Sequence, residues 1–176
     1  MYADWGQPTI TLPTPTRTGY TFAGWYSDSG LTSKIGNGGS TYRPAKDITL
    51  YAKWTANTYT VKYDGNGATS GSTASSSHTY NVAKALTANE FVKIGYTFNG
   101  WNTKADGTGT SYANSASVTN LASTNGATVT LYAKWTATTY PISYVGAATS
   151  VSSYTINTAT FTLTNPTKTG YTFKGW

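Results

Sequence analysis

Few residues of this sequence are capable of acid–base chemistry. The chain has 176 residues, with one histidine, no cysteine and six Asp or Glu. His78 lies in the segment Ser-Ser-Ser-His-Thr-Tyr, where a Ser–His–Asp arrangement with Asp64 would suit a hydrolase. A catalytic triad needs a nucleophile held on a defined turn, and no such motif accompanies this histidine. We therefore interpret His78 as a surface residue, and a hydrolase centred on it is the weakest of our hypotheses.

The carboxylates do not form a recognisable metal site either. The segments Asp-Gly-Asn-Gly at 64–67 and Asp-Gly-Thr-Gly at 106–109 resemble fragments of calcium loops, but the closing glutamate is absent. Residues 65–71 lack the spacing and the lysine of a phosphate-binding loop. We interpret both Asp-containing segments as turns. The sequence predicts no catalytic residue, no metal ligand and no cofactor.

The chain is basic but has no basic patch. It carries 12 Lys and Arg against 6 Asp and Glu, yet no two basic residues are adjacent. Nucleic-acid binding needs a concentrated positive surface, so we expect no nucleic-acid partner. No stretch approaches the roughly 20 consecutive apolar residues of a membrane span, and the residues after Met1 do not follow a signal-peptide pattern. We expect no membrane insertion in this segment.

Two phrases recur along the chain in a fixed order. Gly-Tyr-Thr-Phe-x-Gly-Trp occurs at 19–25, 95–101 and 170–176. Thr-Leu-Tyr-Ala-Lys-Trp occurs at 49–54 and again at 130–135. Self-similarity at a fixed period is the signature of a repeat architecture.

The phrases divide the chain into three segments. The first repeat, 1–54, is incomplete because it lacks the first strand of a unit. The second repeat, 57–135, is complete. The third repeat, 138–176, is incomplete because it ends after the third copy of the first phrase.

The local patterns predict strands. Thr-Tyr-Thr-Val-Lys-Tyr at 58–63 alternates between two faces, and the Gly-rich turn at 64–67 ends it. Aromatic residues make up 15% of the chain and charged residues only 10%, a bias that suits sheets. Two segments, 81–91 and 112–122, are candidates for one or two helical turns. We predict a mostly β protein with at most short helices, arranged as small tandem repeats.

The repeated aromatic and aliphatic residues are candidate core anchors. Tyr20 and Phe22 share a strand face, whereas Trp25 falls out of alternation. Because a glycine inside a strand often marks a bulge, we predict that Gly24 returns Trp25 to the face of Phe22. The predicted anchors are Phe22, Trp25, Trp54, Phe98, Trp101, Leu131, Trp135, Phe173 and Trp176.

The second phrase also has a predicted outer face. Leu, Ala and Trp of that phrase alternate with Tyr and Lys, so the Tyr and Lys should face solvent. Exposed tyrosines could stack on sugars, but outer-face Tyr and Lys also form ordinary cross-strand pairs. The candidate surface contacts are Tyr51, Lys53, Tyr132 and Lys134.

These phrases resemble the Listeria–Bacteroides repeat, also called the internalin B-repeat family. The resemblance is carried by Tyr59–Tyr63 with the following turn, by Gly95–Trp101 and by Leu131–Trp135, and it covers nearly the whole chain. It implies a small β-grasp-like domain found in tandem on bacterial surface proteins, usually as a stalk or adhesive segment. One departure is that Tyr-Val-Gly-Ala-Ala-Thr-Ser at 144–150 replaces the Gly-rich turn in the third repeat.

Three functional hypotheses follow. The first is a non-catalytic structural or adhesive repeat segment, a stalk or spacer, of an extracellular bacterial cell-surface protein. Its expected partners are the neighbouring repeats of the same chain and a host protein or glycan. The second is a carbohydrate-binding module that uses exposed Tyr and Trp, and the third is the hydrolase centred on His78.

The two incomplete repeats lack different strands. The first repeat has the last strand of a unit but not the first, and the third repeat has the reverse. An incomplete β unit leaves an unpaired edge, which favours pairing with another chain. The sequence therefore predicts head-to-tail self-association.

Overall fold

The computed structural model describes residues 9–145 and 151–175, and these contain strands, turns and loops but no helix. The prediction of a mostly β protein is confirmed. The strands are β1 Ile10–Thr11, β2 Tyr20–Tyr26, β3 Lys34–Gly36, β4 Thr41–Tyr42, β5 Tyr51–Ala56, β6 Thr58–Asp64, β7 Ser76–Thr79, β8 Lys84–Ala85, β9 Tyr96–Asn102, β10 Ser111–Tyr112, β11 Ser117–Val118, β12 Thr128–Ala137, β13 Tyr140–Pro141 and β14 Ser153–Tyr154.

Backbone hydrogen bonds group these strands into five sheets. The largest has the order β10–β9–β12–β6–β7, a second has the order β3–β2–β5, and the other three are two-stranded pairs, β1–β4, β8–β11 and β13–β14. By packing, the chain forms two compact units. Unit 1 comprises the described parts of Met1–Lys62, Ala74–Thr87 and Ser115–Thr130, and unit 2 those of Tyr63–Thr73, Ala88–Asn114 and Leu131–Trp176.

In unit 1, β2 carries the first copy of the seven-residue phrase and pairs antiparallel with β5. The register places Phe22 opposite Trp54 and Trp25 opposite Ala52, with a shift between Phe22 and Gly24. That shift is the predicted bulge, and Gly24 adopts a φ of +123°, a backbone conformation that a side chain disfavours. The bulge brings the Phe22 and Trp25 rings edge to face, with centroids 5.4 Å apart.

The strand β6 begins in unit 1 and pairs antiparallel with β7, Tyr59 lying opposite His78. On its other side, the Gly126 amide donates to the Thr58 carbonyl and the Thr60 amide donates to the Ala127 carbonyl. The residue numbers of the bonded partners increase in the same direction on both segments. The start of β6 therefore runs parallel to the segment that leads into β12. The side chains of Tyr59 and Val61 on β6 are buried.

In unit 2, β9 carries the second copy of the phrase and pairs antiparallel with β12. Phe98 lies opposite Trp135 and Trp101 opposite Ala133, again with a register shift between the two pairs. Trp101, Leu131 and Ala133 are fully buried and form the centre of the packing. The short hairpin of β13 and β14 belongs to the same unit and stacks Tyr140 on Tyr154.

The two helix candidates were wrong. Residues 81–91 contain the short strand β8, and 112–122 contain the end of β10 and all of β11. Asn81 and Asn120 have φ values of +60° and +57°, which no right-handed helix accommodates. The Asn120 side-chain oxygen accepts the Asn81 amide at 2.7 Å, so the asparagines satisfy turns instead of helix hydrogen bonds.

Candidate functional site

His78 is not a surface residue, and that prediction was wrong. Its side chain is 1% exposed on β7 and stacks on Tyr59, with ring centroids 5.4 Å apart. The burial of His78 could not be inferred from its Ser and Thr neighbours, which are typical of a surface segment. Because side chains alternate between the two faces of β7, the histidine side chain lies on the buried face. Burial lowers the pKa of the His78 imidazole below its ordinary value, and the charge of Lys84 lowers it further.

The hydrogen bonds of His78 do not form a triad. Its Nε2 lies 2.9 Å from the Ser76 hydroxyl, but its Nδ1 is buried without a hydrogen-bond partner among the described residues. A triad places a carboxylate at Nδ1 to orient the ring and to stabilise the imidazolium. His78 is therefore arranged as a neutral packing residue.

Both Asp-containing segments form turns, as predicted. Asp64 accepts the Asn66 amide at 2.7 Å, and Asp106 accepts the amide and hydroxyl of Thr108 at 2.9 and 2.8 Å. The Thr108 hydrogen bonds lower the pKa of Asp106, because they stabilise its charged form. Within the described ranges, no three His, Asp or Glu side chains come together as metal ligands.

The predicted anchors of the second repeat lie together. The Trp101 ring packs against Phe98 and Tyr63, with centroids 4.9 and 4.7 Å away, and Phe98 packs against Trp135 at 5.7 Å. Leu131 is 0% exposed, while Phe98 and Trp135 are partly exposed. The Trp135 indole donates to the Gly65 carbonyl at 2.8 Å, so the last strand is tied to the turn after the first.

The anchors of the incomplete repeats are less covered. The Phe22 ring contacts both Trp25 and Trp54, but all three residues are partly exposed. Phe173 of the third repeat is partly exposed, and Trp176 lies outside the described residues.

The candidate surface contacts lie on the outer face of their strands. Tyr51 is 38% exposed, and Tyr132 is partly exposed. The Lys53 amine lies 5.0 Å above the Tyr26 ring, and the Lys134 amine is 3.0 Å from the Ser111 hydroxyl. Each lysine thus has a partner in its own sheet.

The first junction between repeats is built around the glycine and tyrosine that open the phrase. In unit 1, the Gly19 carbonyl accepts the Asn57 amide at 2.9 Å, and the Asn81 side chain donates to the Tyr20 hydroxyl at 3.0 Å. The Tyr20 and Tyr80 rings meet edge to face at 5.7 Å. The Tyr80 ring packs so closely on Gly19 that a Cβ there would overlap it.

The second junction repeats these contacts in unit 2. The Gly95 carbonyl accepts the Thr138 amide at 2.9 Å, and the Tyr96 hydroxyl donates to the Asn157 side chain at 2.6 Å. Ile156 packs on Gly95, where an added Cβ would lie 2.9 Å from the isoleucine Cβ. The Tyr–Asn pairs of both junctions are separated by 61 residues, so one docking geometry is used twice.

A basic residue three positions before each repeated tyrosine was missed by the sequence reading. The Arg17 guanidinium lies 3.9 Å above the Tyr20 ring, and Lys93 and Lys168 lie 4.6 and 4.3 Å above Tyr96 and Tyr171. The signal was present, since a basic residue occupies that column in all three copies. These cation–π pairs hold the tyrosine that the junction uses.

A groove of about 580 Å³ lies on the first repeat. Its lining residues include Phe22, Trp54, Pro15, Arg17 and Asn37. Aromatic faces beside polar groups could hold a sugar ring or an extended peptide.

Comparison with known proteins places these features in a family. The family model of the Listeria-Bacteroides repeat domain matches residues 3–53, 59–134 and 140–176. A protein of Evansella cellulosilytica whose name describes it as a Gly-rich membrane protein is 35% identical over 176 residues, covering 91% of this chain and 19% of that protein. Internalin H of Listeria monocytogenes is 39% identical over 101 residues, covering 56% of this chain and 17% of internalin H.

The chain thus spans about a fifth of the length of these relatives. No solved structure matches it. Among the residues that the structure describes, there is no helix with the length and hydropathy of a membrane span.

Proposed function

Because the chain belongs to the Listeria-Bacteroides repeat domain family, we propose that it is a non-catalytic spacer segment of a bacterial cell-envelope protein, exposed on the extracellular side. The relatives named as a membrane protein and as an internalin support the envelope location. The segment consists of three repeats with boundaries at 1–54, 57–135 and 138–176, close to the three family matches.

The repeated junction carries the proposal. A spacer must hold its modules in a defined relation, and repeat proteins do so through nearest-neighbour interfaces. Both junctions join a glycine carbonyl to a backbone amide and a tyrosine hydroxyl to an asparagine side chain. One interface used twice is what a string of identical modules requires.

The sheet order supports a β-grasp-like unit. In the second repeat the first strand β6 and the last strand β12 are neighbours, with their antiparallel partners β7 and β9 on the outer sides. We propose that a complete unit is defined by this pairing of its first and last strands.

Binding is the second candidate function. The groove beside Phe22 and Trp54 is the observation that favours it, since it combines aromatic faces with polar groups. A carbohydrate-binding module or an adhesin would present such a groove to a glycan or a host protein. We prefer the spacer because the contacts that recur between repeats are junction contacts.

A distance measurement tests the spacer. The chain has no cysteine, so spin labels can be attached at Ser29→Cys and Ser77→Cys, two exposed positions of unit 1 in different repeats. We expect a single narrow distance distribution by pulsed electron paramagnetic resonance. Tyr80→Ala, which removes the ring packed on Gly19, should broaden it, whereas Tyr51→Ala on the exposed face should not.

A broad distribution in the otherwise unchanged chain would contradict a spacer of defined geometry. Saturable binding in a screen of glycans and extracellular proteins, lost on Phe22→Ala, would favour the binding function instead.

A further inference from the structure

The dipeptide Asn-Gly occurs four times in the chain, and its two residues can react with each other. The glycine amide nitrogen bonds to the asparagine side-chain carbonyl carbon and ammonia leaves, which forms a cyclic imide. Water then opens the imide to aspartate or to isoaspartate, in which the backbone runs through the side chain. Glycine favours the reaction because it has no side chain to hinder the approach. The asparagines are Asn37, Asn66, Asn99 and Asn125.

The side-chain amides of Asn66 and Asn99 are held by hydrogen bonds. The Asn66 amide donates to the Ala105 and Ala133 carbonyls at 2.8 and 3.0 Å. The Asn99 amide donates to the Thr136 hydroxyl at 3.1 Å, and Asn99 lies within the strand β9. The side-chain carbon must approach the next backbone nitrogen before it can react, so these contacts have to open first.

At Asn125 the fold holds both reacting groups. The Asn125 side-chain oxygen accepts the Thr58 amide at 3.1 Å. The amide of Gly126, which would be the nucleophile, donates to the Thr58 carbonyl at 2.8 Å. The reaction at Asn125 therefore requires that both hydrogen bonds break.

Asn37 lies in the turn between β3 and β4 and is not held in this way. The residue is exposed, and its side chain has no hydrogen-bond partner among the residues that the structure describes. Within the same ranges, the Gly38 amide makes no hydrogen bond either. The Ser40 amide donates to the Asn37 carbonyl at 3.2 Å and closes a turn with Gly38 and Gly39 at its centre. Two consecutive glycines allow this backbone a wide range of conformations.

The exposure of this asparagine does not come from the strands that the first repeat lacks. The Leu12 amide donates to the Ser40 carbonyl at 2.9 Å. In the second repeat the Leu86 amide donates to the Ala116 carbonyl, also at 2.9 Å, so the turn that ends at Ser40 corresponds to the turn that ends at Ala116. Residues 113–115 of that second turn are exposed as well, although the second repeat is complete.

We propose that Asn37 is a self-modification site, which converts to aspartate and isoaspartate in the folded chain while the other three Asn-Gly sites are protected. Each conversion consumes one water, releases one ammonia and replaces a neutral amide by a carboxylate. The isoaspartate product also lengthens the backbone of the turn by one methylene group.

The longer backbone should loosen the attachment of this turn to the core. The Asn37 backbone amide donates to the Ser40 hydroxyl at 3.2 Å, and the Gly39 amide donates to the Leu12 carbonyl at 2.8 Å. Leu12 is 1% exposed, so the turn is tied to a buried residue. We expect the Leu12 and Gly39 amides to exchange hydrogen faster in the isoaspartate product.

The experiment incubates the folded chain in mildly alkaline buffer and follows the conversion of amide to acid at all four sites by peptide mapping. Asn37 should convert roughly ten- to a hundredfold faster than Asn66 and Asn125, the factor that corresponds to two ordinary hydrogen bonds. Asn99, held by one side-chain hydrogen bond and by its strand, should also convert more slowly than Asn37.

The same chain unfolded in guanidinium chloride is the matched control. All four sites consist of the same two residues, so their rates should be alike once the fold is lost. A difference that is present only in the folded chain therefore measures protection by the structure.

Asn37→Asp separates the charge from the longer backbone. This variant should keep the slow exchange of the Leu12 amide, whereas the isoaspartate fraction of the aged chain should lose it. Gly38 is left unchanged, because a Cβ there would overlap the Thr14 side chain.

Equal rates at the four sites of the folded chain would overturn the proposal, and so would faster conversion at any site other than Asn37. It would also be overturned if Asn37 reacted far more slowly in the folded chain than in the unfolded chain, since the turn would then protect it.

Discussion

Trp101 illustrates how one residue organises a repeat. Its ring is 0% exposed and contacts Phe98 and Tyr63, which come from the repeated phrase and from the first strand. We expect Trp101→Ala to lower the free energy of unfolding by about 3–5 kcal/mol, the usual cost of deleting a large buried ring. Urea denaturation of the whole chain measures it.

The indole nitrogen of Trp101 provides the control for this prediction. It is buried without a hydrogen-bond partner among the described residues, so Trp101→Phe loses ring area but no hydrogen bond. The free energy of unfolding of this variant should lie between those of the unmodified chain and of Trp101→Ala. Trp25→Ala, at the less covered equivalent position, should cost less than Trp101→Ala, and an equal cost would contradict the assignment of Trp101 to the core.

His78 should make stability depend on pH. The pKa of His78 is lowered by burial and by the charge of Lys84. When the pH falls below the ordinary pKa of about 6.5, the imidazole therefore binds a proton in the unfolded chain more readily than in the folded chain. Stability is therefore fully present above about pH 6.5 and falls as the pH drops toward the lowered pKa of the folded state. His78→Phe keeps a ring against Tyr59 and removes this dependence.

Urea unfolding at pH 7.5, 6.5 and 5.5 measures the difference between the two proteins. The two proteins differ only at residue 78, so the comparison isolates the histidine. If the free energy of unfolding depended on pH in the same way for the unmodified chain and for His78→Phe, the burial of an uncharged His78 would be contradicted.

At the scale of elements, the junctions depend on a glycine that no side chain can replace. Gly19, Gly95 and Gly170 have φ values of +77°, +78° and +76°, so an alanine has the same backbone strain at each. A Cβ would overlap Tyr80 at the first and press on Ile156 at the second, whereas nothing lies within 4 Å at the third. Gly19→Ala and Gly95→Ala should therefore destabilise the chain more than Gly170→Ala.

The size of the difference follows from steric overlap. Left-handed strain costs roughly 1–2 kcal/mol at all three positions, and overpacking adds about 1–3 kcal/mol at the first two. Thermal and urea denaturation of the three variants measure these costs. Equal effects would show that the glycines serve the turn alone.

The strands could be predicted from the sequence better than the contacts between residues that are distant along the chain. Alternation in 58–63 and the glycine of the repeated phrase were enough for β6 and for the bulge at Gly24, because both depend on local geometry. The junction partners Tyr80 and Asn81 could not be found in this way, since they meet Gly19 and Tyr20 from 61 residues away. The same segment was assigned a helix because its asparagines were not recognised as turn residues with positive φ.

At the scale of the whole molecule, the first strand of a repeat recurs in the third repeat with one change in its hydrogen bonding. Residues 139–144 of the third repeat, Thr-Tyr-Pro-Ile-Ser-Tyr, align with Thr-Tyr-Thr-Val-Lys-Tyr at 58–63. Thr60 uses its amide to bond the Ala127 carbonyl on the side of the last strand, and Pro141 occupies the equivalent position without an amide. The second repeat thus has a hydrogen bond for which the third repeat lacks the donor.

Thr60→Pro introduces the same loss into the second repeat. We expect it to lower the free energy of unfolding by about 1–3 kcal/mol, because the Ala127 carbonyl loses its donor. Urea denaturation of the whole chain measures the change. Thr60→Ala keeps the backbone amide and is the matched control, so it should lower the free energy of unfolding by less. Equal effects of the two variants would show that the Thr60 amide does not support this pairing.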